Sequence, residues 1–269
     1  MDQIIGNLNR HANFPSQLVP PRHVDVWCPP GYGSSSSRYR VLYMHDGQNL
    51  FDPSTAYGGV DWSMDEAIVS MMSSGEIPGF IVVGIWNCGE KRWREYMPQK
   101  ATENNSVLMA TFIKTAGGEP WSDNYLRFLV EEVKPFVDEN YRTQTGQPDT
   151  FVMGSSMGGL ISLYALEQYP HIFSGAGCVS THWPAGKMRL VNSMGRNLPA
   201  PGQHKLYFDF GTTTLDAQYE KYQLRMDAHL RNAGYRSGVD WLTRKFEGAA
   251  HNEASWRERV NIPLKFLLG

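Results

Sequence analysis

The segment Gly154-Ser155-Ser156-Met157-Gly158 sets a serine between two glycines in the pattern Gly-x-Ser-x-Gly. A serine hydroxyl held on a sharp turn can attack an acyl carbon, provided that a base takes its proton. The pattern is short: with 26 glycines and 20 serines in 269 residues, independent placement gives about 0.2 matches. Its surroundings carry more weight. A β-branched, apolar run over Thr150–Gly154 precedes it and an apolar helix over Met157–Gln168 follows. This is the strand–turn–helix setting that lifts a serine hydroxyl above a sheet edge. The competing reading is a glycine-rich turn in which Ser156 only caps the helix.

A base and an acid must then arrive on later loops, because in this kind of site the chain order is serine, carboxylate, histidine. His251 lies in a small-residue loop, Gly248-Ala249-Ala250-His251, after the last strand and before the C-terminal helix. His45 and His182 are rivals, since both follow strand ends, where open α/β sheets bind ligands. For the acid, the segment Gly211-Thr212-Thr213-Thr214-Leu215-Asp216 follows the penultimate strand. That position selects Asp216, with helix N-capping as its alternative role. Asp209 and Glu220 fall inside a strand and a helix and are weaker candidates. Acyl transfer also needs two backbone N–H groups aimed at the developing oxyanion. Position assigns them to Met157, directly after the serine, and to Gln48 in the loop His45-Asp46-Gly47-Gln48, where Gly47 would permit the turn.

The elements that would hold these residues follow from periodicity. Strands are predicted at His23–Trp27, Arg40–Met44, Phe80–Trp86, Thr150–Gly154, Gly175–Ser180, Lys205–Phe210 and Val239–Phe246, several as continuous apolar runs suited to strands buried on both faces. Helices are predicted at Trp62–Met72, Asp123–Asn140, Met157–Gln168, Ala217–Asn232 and Glu253–Leu268. In the second of these Tyr125, Leu126, Leu129, Val130, Val133 and Val137 form one apolar stripe, and Pro135 predicts a kink or an early end. The turn-rich link after Trp27 suits an antiparallel hairpin between the first two strands. The stretch Ala101–Ser122 has no clear period and reads as a surface loop or partial lid. Alternation of strands and helices from Phe80 onward implies an α/β fold: a mostly parallel central sheet with helices on both faces.

Composition excludes other classes. Apolar residues make up 41 % and charged residues 19 % of the chain, as in soluble globular proteins, and a net charge of −2 argues against nucleic-acid binding. Cys28, Cys88 and Cys178 are too few and too scattered for a disulfide framework or a zinc site. No metal-hydrolase motif appears, so neither metal nor cofactor is expected. No apolar run approaches a membrane span, and the N-terminal segment lacks the pattern of a secretory leader. The expectation is a single cytoplasmic domain over residues 1–269.

Seven stretches together resemble a known family: VDVWCPPGY, RVLYMHDGQNLFDP, FIVVGIWNCGEKRWREYMP, YLRFLVEEVKPFVDENYRT, FVMGSSMGGLISLYALEQYPHIFSGAGCVS, LYFDFGTTTLD and GAAHNEASWRERV. The family is the esterase group that includes enterobactin esterase, esterase D (S-formylglutathione hydrolase), feruloyl and acetyl carbohydrate esterases and the antigen 85-like mycolyltransferases. The resemblance implies an α/β-hydrolase fold and an acyl-enzyme mechanism, with Ser156 as nucleophile, His251 as base and Gln48 and Met157 as oxyanion amides. It bears less on the acid, because some members carry a carboxylate where this chain has Thr213 or Thr214. The expected partner is a small-molecule or carbohydrate ester, sugar-linked or phenolic, rather than nucleic acid or membrane. Trp86, Asn87, Arg94 and Tyr96, beyond one strand end, and His182 and Trp183, beyond another, are the candidate substrate-binding residues, with Glu95 among them. An acyltransferase and a non-catalytic binding protein of the same fold are the alternatives.

Overall fold

The computed structural model describes residues 4–103 and 105–269. Met1–Gln3, the start of the segment read as lacking a leader, and Asn104, in the segment read as a loop, lie outside the described residues. Eight strands form one sheet: β1 (Asn7–Phe14), β2 (Arg22–Cys28), β3 (Arg40–His45), β4 (Phe80–Ile85), β5 (Thr150–Ser155), β6 (Gly175–Val179), β7 (Lys205–Gly211) and β8 (Trp241–Phe246). Their order across the sheet is β1-β2-β4-β3-β5-β6-β7-β8. From β4 to β8 every pairing is parallel, whereas β2 pairs antiparallel with both β1 and β4. This is the predicted α/β arrangement.

Alternation of side chains across each strand divides the core in two. In β3, Val41 and Tyr43 join one apolar cluster with Leu160, Leu163 and Tyr164 of the helix Met157–Gln168; Leu42 and Met44 join the other with Ile68 and Leu264. Both faces are therefore covered, which is why β4, β5 and β6 are buried along their whole length and read as unbroken apolar runs. Among the described residues no helix is long and apolar enough to cross a membrane.

Several expectations need correction. β2 and β3 do not form a hairpin: β4 lies between them, with Val24 opposite Ile85 and Val26 opposite Val83, so the turn-rich link crosses over a strand. β1 carries no apolar alternation because it is an exposed edge, and an edge strand needs none. The segment 101–122 is mostly helical, with helices at Gln99–Glu103 and Ser106–Ala116; the second is capped by Asn105, whose side chain accepts from Leu108 N–H, and closed by Gly117 at φ 70°. A helix over Lys187–Arg196 also lacks a predicted counterpart. Pro135 neither ends nor breaks its helix. The preceding turn, Phe128–Val133, widens to a π-turn in which Lys134 N–H donates to Leu129 C=O; that wider register accommodates a residue with no N–H and a bulky ring. The C-terminal helix is two, Glu253–Arg257 and Asn261–Leu268.

Candidate active site

The sheet order decides which loops meet. Leaving the C-terminal ends of β3, β5, β6, β7 and β8, the segments beginning at Asp46, Ser156, Ser180, Thr212 and Glu247 lie side by side at one edge, where ligands of such sheets bind. Ser156 follows β5 on a turn with φ 59° and ψ −119°, a conformation that costs a non-glycine residue about 1–3 kcal/mol. Its backbone is pinned on both sides: Ser156 N–H donates to Val179 C=O at 2.8 Å, and Ser156 C=O accepts from His182 N–H at 3.0 Å. Gly154 is required by crowding, since a Cβ there would lie 2.9 Å from the carbonyl oxygen of Gly158. The Ser156 side chain makes no helix cap. It faces His251, with Oγ 2.9 Å from Nε2.

His251 Nδ1 lies 2.6 Å from Asp216 Oδ1. The second oxygen, Oδ2, accepts from Ser180 Oγ–H at 2.7 Å and from Gly211 N–H at 2.6 Å. Asp216 is 1 % exposed. Burial raises its carboxyl's pKa, but the bonds to His251, Ser180 and Gly211 outweigh it and leave the group below the ordinary aspartate value, so it is a carboxylate at neutral pH. It sits inside a short 3-10 turn, Thr214–Gln218, and caps no helix.

The loops bearing Asp216 and His251 are fastened together. Ala249 C=O accepts from Thr212 and Thr213 N–H at 3.0 and 3.1 Å, and His251 N–H donates to Thr214 Oγ1 at 2.8 Å. Beneath them Ser180, at the end of β6, also accepts from Trp256 Nε1–H at 3.0 Å and from the Arg259 guanidinium at 2.9 Å. Arg259 in turn forms a buried pair with both oxygens of Asp209. Asp209, the weaker acid candidate, thus serves this supporting layer and does not contact the imidazole.

Ser156 and His251 line a cavity of about 480 Å³ together with Asp46, Gln48, Asn87, Arg92, Trp93 and Glu253. Asp46 receives a two-pronged bond from Arg92, both prongs 2.7 Å, and a third from Asn87 Nδ2 at 2.7 Å. Burial raises the Asp46 carboxyl's pKa, but Arg92 and Asn87 bring it below the ordinary value; Arg92 is raised, the attraction of Asp46 overcoming its desolvation. Burial and the nearby Asp46 charge raise Glu253. A larger hollow of about 590 Å³ opens at the opposite ends of the strands. There Ser174 donates to Pro148 C=O and His204 Nδ1 meets Phe173 C=O, so this serine and this histidine are each held by a backbone carbonyl and not by one another.

Of the other residues singled out by sequence, Gln48 borders the cavity. Its N–H and that of Met157 have no protein acceptor among the described residues. Gly47 is needed for close approach, a Cβ there lying 2.4 Å from the Gly84 carbonyl carbon; the positive φ of this turn, 60°, belongs to Asp46. Asn87 borders the cavity, and His182 packs edge-on to His251 with ring centres 6.3 Å apart. Four point elsewhere. Trp86 donates to Asp25 and lies under the Arg10 guanidinium; Arg94 donates to Glu119 C=O beside Trp121; Tyr96 is sealed beneath the loop, its hydroxyl 3.3 Å from Asp46 N; and Trp183 is a core residue bonded to Gln223. Glu95 is buried against Arg22. His45 is also a core residue, bonded to Tyr125 and lowered by burial to about 3. The wall formed by Asp46, Arg92 and Glu253 escaped notice, since its members are far apart in sequence.

Comparison with known proteins places this geometry in context. A family described as Putative esterase matches residues 16–262. The uncharacterized protein YbbA of Bacillus subtilis strain 168 is 23 % identical over 256 residues, covering 92 % of this chain and 93 % of its own. Among solved structures, a ferulic acid esterase superposes with a TM-score of 0.70 at 16 % identity, covering 98 % of both chains. An IroE-like serine hydrolase from Shewanella oneidensis gives 0.73 at 19 %, over 97 % of this chain and 78 % of that one. The enterobactin esterase FES from Shigella flexneri gives 0.69 at 15 %, over 98 % and 59 %.

Proposed function

The chain belongs to this esterase family and is a carboxylic ester hydrolase, and from that premise we propose that it acts through an acyl-enzyme on Ser156, with His251 as base and Asp216 as the acid that orients it. The observation that carries the reading is the unbroken chain Ser156 Oγ–His251 Nε2, 2.9 Å, and His251 Nδ1–Asp216 Oδ1, 2.6 Å, opening on a cavity. Ser156 Oγ attacks the ester carbonyl as His251 Nε2 takes its proton. Asp216 stays ionised, keeps the proton of the neutral imidazole on Nδ1 and stabilises the imidazolium that forms. The N–H groups of Met157 and Gln48 receive the oxyanion. His251 then protonates the departing alcohol, and a water repeats the sequence to release the acid.

The cavity wall supports a compact, oxygen-rich ester. Trp93, Tyr57 and Trp256 offer aromatic surface, while Asn87, Arg92, Gln48 and Glu253 supply polar groups. About 480 Å³ suits a small-molecule ligand, and a sugar-linked or phenolic acyl ester matches such a lining better than a long acyl chain. Ser156→Ala is expected to abolish hydrolysis of p-nitrophenyl acetate while leaving circular dichroism and melting behaviour intact. Retained turnover in the folded variant would refute the nucleophile assignment.

A further inference from the structure

A buried hydroxyl with one acceptor in reach decides the tautomer of that acceptor. Tyr219 is fully buried, its oxygen lies 2.5 Å from His182 Nδ1, and among the described residues it has no other acceptor. Leaving such a donor unmade carries the full desolvation cost. Burial also drives its phenol further from ionisation, so the bond runs from Tyr219 O–H to Nδ1. A neutral imidazole that accepts at Nδ1 bears its proton on Nε2. Burial, helped by the neighbouring His251 imidazole and by the Arg92 charge and opposed by Asp216, lowers His182 to about 4, which keeps the ring neutral.

The His182 ring also packs edge-on to Trp93 of the cavity wall, ring centres 5.6 Å apart. Nε2 has no protein partner among the described residues and is absent from the polar atoms sealed off from solvent. In the reaction the carbonyl oxygen is drawn toward Gln48, on the β3 side of Ser156. The leaving oxygen must face His251, and the His182 ring packs edge-on against that of His251.

Building on the Ser156–His251 reading, we propose that His182 is a specificity-determining residue, held by Tyr219 as an Nε2–H donor, that binds an oxygen acceptor on the alcohol half of the ester. Esters of oxygen-bearing alcohols are then preferred over esters of hydrocarbon alcohols of the same shape.

The test compares kcat/KM for (tetrahydropyran-2-yl)methyl acetate and cyclohexylmethyl acetate, which differ at one ring position. This ratio reports acylation, when the alcohol is still attached. Wild type should favour the oxygen-bearing ester about tenfold, the worth of one hydrogen bond, mainly through KM. His182→Phe should bring the ratio near one, and His182→Gln, which keeps an N–H donor, should restore part of it. In Tyr219→Phe either nitrogen can carry the proton, so the preference should fall at neutral pH and recover in acid, where the imidazolium donates from both nitrogens; the wild-type preference should stay flat. Equal use of the two esters by wild type, or a ratio unmoved in His182→Phe, overturns the proposal and leaves the nucleophile assignment standing. Turnover of both esters by Ser156→Ala would overturn that assignment instead.

Discussion

Hollows of similar size open at the two ends of the parallel strands, about 480 Å³ at one and about 590 Å³ at the other, and each contains a serine and a histidine. At the first, Ser156 and His251 face each other, and the far nitrogen of the ring meets a buried carboxylate. At the second, Ser174 and His204 are each bonded to a backbone carbonyl, and the neighbouring Arg40 and Lys205 are engaged by carbonyls of the C-terminal helix. Cavity size and residue type are thus nearly matched while the chemistry is not. The difference lies in what the strand ends present. The turn after β5 is strained and leaves the Met157 N–H without an acceptor among the described residues, whereas at the strand starts Arg40, Ser174, His204 and Lys205 are each engaged by a backbone carbonyl.

The strongest way to break this contrast is covalent labelling. A fluorophosphonate should modify Ser156 alone, and His251→Ala should lower both labelling and turnover by about 10⁴–10⁶, the range seen when one member of such a unit is removed. Ser174→Ala and His204→Ala should change neither by more than about twofold; a large loss in either would relocate the chemistry to the other edge. Asp216→Asn should reduce kcat by up to about 10⁴, because the asparagine cannot hold the imidazole in its working tautomer. A loss smaller than about tenfold would show that the serine and histidine work as a pair without this acid.

Ser180→Ala should give a smaller effect, read in stability. Removing the hydroxyl takes a donor from Asp216 and an acceptor from Trp256 and Arg259, a loss of about 1–3 kcal/mol. The pH dependence follows from the lowered Asp216 pKa. A carboxylate depressed in the folded state stabilises it above the unfolded value of about 4 and loses that contribution as pH falls through the folded value. The gap in urea midpoint between wild type and Ser180→Ala should therefore narrow in acid. A gap independent of pH would mean that the Ser180–Asp216 bond contributes little.

Much of the candidate site's geometry was legible because chain order maps onto loop position once the strands are parallel. A serine after β5, a carboxylate after β7 and a histidine after β8 must reach one edge, and those residues are close in number to their strand ends. What the chain hides is direction. Trp86 and Arg94 follow the end of β4, as Asn87 does, yet a residue just past a strand can face the cavity, the core or the sheet margin. Partnerships between distant segments are equally hidden, as with Asp46 and Arg92, or Ser180 and Asp216. The helix Ser106–Ala116 was obscured differently: it has a cap at Asn105 and a stop at Gly117, but exposed Val107 and Ile113 blur the period that would have revealed it.

The carbonyl of Ala249 has a consequence for anyone rebuilding this enzyme. It receives two N–H groups from the loop bearing Asp216, and Gly211 passes so near that a Cβ would lie 2.2 Å from its oxygen. The stretches 211–216 and 248–251 therefore behave as one interlocking cassette. A graft or a homologous crossover that brings one without the other would mismatch the two halves, and recombination libraries should keep their breakpoints outside both.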